Sequence, residues 1–579
     1  MALGAMLAAG ACYDTGDGTA PPTDAFYYPV GLRVSHGGNV LYAVNSDFDL
    51  QYNGGTIQSY DLHLIRQHAL RSIANPADPT IPLLRPGDVN ACPSNPPVQK
   101  NGEIGRQTLG ETCAPPVSSQ FYFRDSAVIG AFATDLLLSP LPSALVSLTL
   151  RASASVPKPT AAATSTDRLF APVRGNATLT WATVVRDDPA TSPAPTDSKL
   201  QYTPFIIQCG QDRANRCDHG HAVGEDIDER GNTRRILLPG EPFGAAISED
   251  GTSIVMTHQN DQKASLFDTG MGFTIGEDQK VSPALKFVAE NVSVGGVGVV
   301  PVPHDPDAFL GAPSLPRPAF YVSHRAVAQV TLLRQYSDTN LGTGASTPRP
   351  FLTVERAFPV SASAGAVDSR GVAVDITPRL ACKAKITATD PAEVDKQMKA
   401  CARKPARIFI ANRSPAALLV GDIGSNSLSG DDAYDADRLQ IHSSIPLSAG
   451  PSKVYLAPIV DSKGNYALRV FAVCFDSATV FVYDPEAGVL ENVIKVAVGP
   501  FAMAFDPFNL DDVAQHKPVP IDNPARDGEQ PIRHYRFAYL ASFTQSYVQL
   551  IDLDNAVPAT PTFEHVVYTL GRPTNPKGT

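Results

Sequence analysis

A short apolar run that closes on a polar side chain recurs seven times, and this repeat restricts the fold more than any other feature of the chain. It reads Leu41-Tyr42-Ala43-Val44-Asn45 in its first copy and Leu169-Phe170-Ala171-Pro172-Val173-Arg174 in its second. Further copies are Ser253–His258, Ala319–His324, and residues 408–412, 470–473 and 538–542. After a gap comes an alternating strand that often ends on Asp, as at Thr56–Asp61, 264–268, Thr479–Asp484 and 548–552. Alternation with period two puts successive side chains on opposite faces of a strand, as a sheet stacked between neighbours requires. Turns such as Glu249-Asp250-Gly251 and Ser462-Lys463-Gly464 lead into the apolar run, with Gly supplying the positive φ of a hairpin. Gly240-Glu241-Pro242, Gly450-Pro451, Gly499-Pro500 and Gly571-Arg572-Pro573 punctuate the units.

Seven copies of one unit predict an all-β fold, a β-propeller of about seven blades over residues 26–573 with disulfide-stapled loop insertions. A chain of 579 residues would otherwise suggest three or four domains, but a ring grows by adding blades around one axis. The 51 prolines, 43 glycines and 18% charged residues suit many short strands and turns. A two-sheet sandwich gives no reason for seven copies. The unit resembles the YVTN-type or lactonase-like propeller superfamily, and that resemblance implies the architecture without supplying a catalytic motif to carry over. The single tryptophan, Trp181, is followed by Ala182, so the Trp-Asp signature of WD repeats is absent. The strand Val566–Leu570 completes the seventh unit and Tyr28-Pro29 opens the first, so the two ends are expected to meet at one blade boundary. Pro-rich insertions are expected at about 67–120, 187–235, 300–317, 380–405 and 508–533, projecting from one rim.

The N-terminus bears on location. Residues 1–11 are small and apolar and end in Ala9-Gly10-Ala11-Cys12, which resembles a bacterial lipobox. That resemblance implies a signal-peptide remnant over 1–12, lipidation of Cys12, and a lipid-anchored protein of the bacterial cell envelope, at the outer membrane or cell surface. No Lys or Arg precedes the apolar stretch and Ala9 stands where Leu is usual, so the true start is expected upstream of Met1. Residues 13–25 read as a flexible tether and 574–579 as a tail. No apolar run approaches the ~20 residues of a transmembrane helix, which leaves the anchor as the only membrane contact. A net charge of −11 without a basic stripe argues against nucleic acid. Six cysteines fall into local pairs, Cys92/Cys113, Cys209/Cys217 and Cys382/Cys401, each inside an insertion, as an oxidising compartment permits. Zinc would want a closer Cys-x₂₋₄-Cys spacing. Cys474, in an apolar strand, reads as a buried small hydrophobe.

For a ligand site, the register places Arg174, His258, His324, Arg325 and Arg413 after or at the end of the second strand of their blades, hence on one face of the ring. They would either share an anion-binding pocket or cap strand ends, each within its own blade. Asp47, Asp49 and Asn53 lie in an acidic loop whose oxygens would suit calcium, although the closing Glu of an EF-hand is missing and a solvated turn is the plainer reading. Asp431, Asp432, Asp435 and Asp437 form a similar cluster, and His219-Gly220-His221 a lone His pair. No nucleophile elbow, zinc-protease helix, P-loop or haem motif appears. These features point to an envelope lipoprotein acting as a binding or scaffold module for a protein or glycan partner. The resemblance implies an alternative, a hydrolase of lactonase or esterase type with His258 or His324 as base and Arg174 or Arg325 holding the oxyanion.

Overall fold

Seven antiparallel four-stranded sheets follow one another along the chain and close into a ring. The computed structural model describes residues 18–74, 116–140, 166–187, 202–212, 214–271, 282–312, 316–338, 349–360, 366–425, 434–522, 532–533, 536–556 and 562–571. Blade 1 is Pro29–Val34, Val40–Asn45, Thr56–Asp61 and Phe123–Val128; blade 2 is Leu137–Leu138, Thr166–Val173, Thr178–Val185 and Ala222–Val223. Blade 3 is Pro242–Ile247, Ser253–His258, Lys263–Asp268 and Ala284–Glu290; blade 4 is Gly296–Pro301, Ala319–His324, Gln329–Asp338 and Arg349–Pro359. Blade 5 is Val367–Asp375, Ala406–Ser414, Ala416–Ser425 and Asp435–Pro446; blade 6 is Pro451–Val460, Tyr466–Cys474, Thr479–Asp484 and Val489–Lys495. Blade 7 is Pro500–Phe505, Phe537–Ser542, Tyr547–Asp552 and Val566–Leu570. Every copy of the apolar run is the second strand of its blade.

The second strands are apolar because both of their faces are covered. In blade 1, Leu41 and Ala43 pack on Tyr539 and Ala541 of blade 7, while Val40, Tyr42 and Val44 pack on Leu169, Ala171 and Val173 of blade 2. The same division recurs around the ring. Phe170 meets Ile254 and Met256, Val255 meets Phe320 and Val322, and Tyr321 meets Ile408 and Ile410. Phe409 and Ala411 meet Val470 and Ala472, and Phe471 and Val473 meet Ala538 and Leu540. Alternate residues thus serve the two neighbouring blades, and seven interfaces close the circle.

The first strands form the inner edges and approach one another closely, which explains a glycine at one position. Gly31, Gly298 and, by register, Gly244 and Gly371 each face the next-to-last residue of the recurring apolar run, beside a bulge. A Cβ on Gly298 would lie 2.0 Å from the Arg370 carbonyl oxygen, and one on Gly244 2.1 Å from that of Val297. The equivalent positions in blades 6 and 7 are Lys453 and Ala502. The Asp that ends the third strand holds the following turn: Asp484 Oδ1 accepts from the N–H groups of Glu486 (2.8 Å) and Ala487 (3.0 Å). Asp268 does the same for Gly270 (2.8 Å).

The expected insertions leave the ring between first and second strands in blades 4, 5 and 7, and between third and fourth strands in blades 1 and 2. In an antiparallel blade these turns share one end, so all five leave the ring at the same rim; the blade 2 segment then runs back along the sheet edge, where the Cys217 N–H donates to the Val128 carbonyl (2.9 Å) and Arg216 to that of Asn53 (2.9 Å). The helices Leu62–Ala74, Thr377–Lys383, Pro391–Ala402 and Leu510–Ala514 lie in this material. Cys382–Cys401 ties two of them together and Cys209–Cys217 closes a loop of blade 2, with Cα atoms 5.4 and 4.9 Å apart. Cys474 is buried and unpaired, its thiol pushed up to about 12 by burial. Cys12, Cys92 and Cys113 lie outside the described residues. At the ring closure the Tyr28 N–H donates to Ser546 Oγ (3.1 Å), and Pro116–Val117 adds a parallel strand to the outer edge of blade 7. The expected tether over 13–25 differs from Gly18 onward. Thr19 accepts from the Asn53 N–H (3.0 Å), and the Gln58 amide donates to Pro22 and Ala25 carbonyls (3.2 and 3.1 Å). Satisfied backbone groups fasten this stretch to blade 1.

Gly298→Ala is expected to cost about 1–3 kcal/mol, as overpacking does, whereas Gly240→Ala, with nothing within 4 Å of the added carbon, stays near wild type; chemical denaturation compares the two. Removing the Cys209–Cys217 bridge by double Ser substitution frees an eight-residue separation and is expected to lower stability by about 2.5 kcal/mol on the chain-entropy account, read from denaturant midpoints with and without reductant.

Candidate functional site

The end of the ring opposite the insertions carries the hairpins between second and third strands. The residue directly after the second strand occupies one equivalent position per blade: Ser46, Arg174, Gln259, Arg325, Arg413 (the next after Asn412), Phe475 and Phe543. Blades 2, 4 and 5 therefore offer cations and blades 6 and 7 aromatic rings. Arg174 pairs with Glu241, which leads into blade 3, and Arg413 pairs with Asp476 of blade 6. Arg325 is exposed, and its backbone N–H donates to Gly295 (2.8 Å).

His258 and His324 stand one residue earlier and are fully buried. His258 Nδ1 lies 2.8 Å from the Gly240 carbonyl, so that nitrogen carries the proton, and Nε2 accepts from the Ser265 hydroxyl (2.7 Å). His324 Nε2 meets Thr331 Oγ1 at 2.8 Å. Burial pushes both imidazoles down to about 4. Asn45 does the same work in blade 1, binding the Tyr27 N–H (3.0 Å), Thr56 (2.9 Å) and Gln58 (2.8 Å). The structure thus sets these side chains as staples inside their own blades. The five residues Arg174, His258, His324, Arg325 and Arg413 are not brought onto the central cavity described below, and neither histidine is accessible as a base.

The acidic loop is a rigid support for exposed apolar groups. Phe48 is 49% exposed and Leu50 60%, and Asp47 and Leu50 hold left-handed φ values of 51° and 53°, a strain that persists only where the surroundings enforce it. Asp47 Oδ1 accepts from the Tyr52 N–H (3.2 Å), and Asp49 accepts from the Tyr27 hydroxyl and from Gln51 Nε2 (2.6 Å). Burial raises the Asp47 carboxyl to about 7, and the Asn53 N–H and C=O bind Thr19 and Arg216. Among the described residues no three His, Cys, Asp or Glu side chains gather as a metal site. Asp435 and Asp437 are engaged by Arg356 and by His304 with Arg334, Asp431 and Asp432 lie outside the described residues, and His221 stacks on Trp181 (4.1 Å). From Phe48 the rings continue: Phe132 at 5.8 Å, Phe543 at 5.2 Å, then Phe501 at 6.0 Å and Phe475 at 6.2 Å from Phe543.

Phe501 also lines a cavity of about 220 Å³ on the ring axis, formed by the opening residues of the first strands. Here Lys453 of blade 6 reaches across to Asp135, just before blade 2, at 3.0 Å, with Arg33 of blade 1 at 3.9 Å from the same carboxylate. Lys453 Nζ also lies 5.4 Å from the Phe501 ring centre. Burial opposes the charge on Asp135, but Lys453 and Arg33 outweigh it and hold the carboxyl below its usual range; Asp135 likewise raises Lys453 against burial. Sequence reasoning missed this group and the aromatic crescent. The available signal was Lys453 standing where Gly31, Gly244, Gly298 and Gly371 stand in other units.

No family model and no curated protein matches the chain. Solved structures to which it is similar include the periplasmic gluconolactonase PpgL of Pseudomonas aeruginosa, at 10% identity over 81% of this chain and 86% of that one, with a TM-score of 0.34. Hydrazine synthase of Kuenenia stuttgartiensis is 8% identical over 93% and 99% of the two chains, with a TM-score of 0.40. The β-propeller domain of Cps50 (Swd1) of Myceliophteria thermophila is 7% identical over 92% and 98%, with a TM-score of 0.39. Likeness at this level carries no argument about what the chain binds or does.

The buried histidines generate a pH prediction. Their folded pKa lies below the unfolded value, so the unfolded chain takes up protons first as pH falls, and stability drops from about pH 6.5 towards pH 4. By pH 4.5 the loss is expected to be about 2–3 kcal/mol per histidine. Replacing both with Asn, the residue that blades 1 and 5 use, should flatten the slope of urea midpoints measured between pH 7 and 4.5.

Proposed function

We propose that this chain is a bacterial envelope lipoprotein, anchored through Cys12, whose propeller offers the hairpin face of its ring to a protein or glycan partner. The observation that carries the reading is the Phe48–Leu50 tip, held by the hydrogen bonds of its loop and exposed beside a crescent of aromatic rings, with cations at the equivalent hairpin position of blades 2, 4 and 5. Exposed apolar groups on a preorganised loop fit a surface that is covered on binding, and aromatic anchors dominate the energetics of such contacts. The insertions leave the ring at the other rim, and on the hairpin face the described residues of the blade 2 insertion meet the acidic loop through Arg216, which donates to the Asn53 carbonyl (2.9 Å). Two disulfides fit an oxidising compartment. Among the described residues no helix is long and apolar enough to cross a membrane.

The test uses cells expressing the chain with its native upstream region and a photo-crosslinking amino acid at position 48. A discrete adduct is expected, and Phe48→Ala should weaken the purified partner's binding by about 2 kcal/mol, roughly thirtyfold. Cys12→Ser should abolish lipid labelling and release the protein from membranes. Absence of any adduct together with unchanged partner binding by Phe48→Ala would sink the docking reading; retained labelling in Cys12→Ser would sink the anchor.

A further inference from the structure

We infer that the cavity on the ring axis binds a small organic carboxylate with a flat apolar body, of the benzoate class, independently of any partner on the hairpin face. Charge is the first ground. The lining carries Arg33, Arg370 and Lys453 against Asp135, and Asp368 pairs with Arg370 from beside it, which leaves an excess of one positive charge (3 − 2) in a chain whose net charge is −11. A local reversal of sign inside a concave, partly buried site focuses an anion there rather than elsewhere on the surface.

The second ground is the number of donors left over. Lys453 has three N–H groups and gives one to Asp135 at 3.0 Å. Arg33 gives Nη1 to its own neighbour's carbonyl, Leu32, at 2.8 Å, and its Nη2 stands 3.9 Å from Asp135. Arg370 uses Nε and Nη2 on Asp368 of its own strand, at 2.8 and 3.1 Å, which leaves Nη1. Asp135 therefore fixes two cations side by side without consuming them. Guanidinium groups present a planar fork that matches a carboxylate.

Shape supplies the third. The first strands pair along one edge only, with the second strands of their own sheets, so their other edge faces the axis, and the side-chain-free positions Gly244, Gly298 and Gly371 let that edge line the cavity. Phe243, Phe501 and Tyr455 are among the lining residues. A cavity of about 150 Å³ lined by apolar side chains takes one benzene; about 220 Å³ accommodates a ring with a carboxylate attached. The mixture of apolar walls with a few convergent polar groups is that of small-molecule sites in general.

Isothermal titration calorimetry of the full chain against benzoate, benzyl alcohol and benzylamine tests the inference. One benzoate is expected to bind per chain, with both uncharged and cationic analogues at least about tenfold weaker. Arg33→Gln and Arg370→Gln should each lower benzoate affinity about tenfold while the ligand-free melting curve remains cooperative; Arg370, paired only within its own strand, serves if Arg33→Gln does not fold. Benzoate binding no tighter than benzyl alcohol, or undiminished in the folded variant, overturns the site and leaves the Lys453–Asp135 pair as a strut across the channel. Neither outcome depends on crosslinking at Phe48, so this reading and the docking reading fail separately.

Discussion

The stacking of each second strand between two neighbouring blades is the interaction on which the rest of this structure depends. An isolated four-stranded sheet with two apolar faces cannot bury either of them alone. Here Leu41 and Ala43 belong to one interface and Val40, Tyr42 and Val44 to the next, so a one-residue slip would exchange both sets at once. Burying a Val, Leu, Ile or Phe side chain is worth about 1.5–3 kcal/mol, and with several such residues at every interface the register of all seven blades is fixed together. The ring needs no strand exchange between its ends because blades 1 and 7 are each complete in sequence, and the seam is held by the Tyr28–Ser546 contact and the short parallel strand at Pro116–Val117.

From that closure follows a division of labour between the two ends. Turns between first and second and between third and fourth strands can lengthen without disturbing the stack, and several of them have done so, some with helices and disulfides of their own. The hairpins between second and third strands are mostly short, and the side chains at their bases, His258, His324, Asn45 and Asn412, are spent on hydrogen bonds within their own blades. What remains exposed on that end is set by the next residue along, which is cationic in three blades and aromatic in two.

The channel shows what happens when one blade departs from the pattern. Four blades place Gly where the next blade's backbone comes too close for a side chain, and blade 6 places Lys453 there. Its long side chain goes down the axis, where Asp135 meets it from the far side. A pair of charges in such a place is costly to desolvate and is retained only with good partners; Arg33 and the Phe501 ring supply them.

Periodicity alone determined the blade count, the identity of every second strand, the common rim of the insertions and the two described disulfides, because these depend on spacing along the chain and on short-range closure. The sequence also placed Arg174, His258, His324, Arg325 and Arg413 at one end of the ring, but not which way they point. Whether a histidine at a strand end faces solvent or its own blade depends on partners such as Gly240 and Ser265, reached only through pairing in three dimensions. Arg33 lies in blade 1, Asp135 just before blade 2 and Lys453 in blade 6, up to 420 residues apart (453 − 33), and nothing local marks them as neighbours. Only closure of the ring brings the first strands to one axis, and so only the tertiary structure could make a site of them.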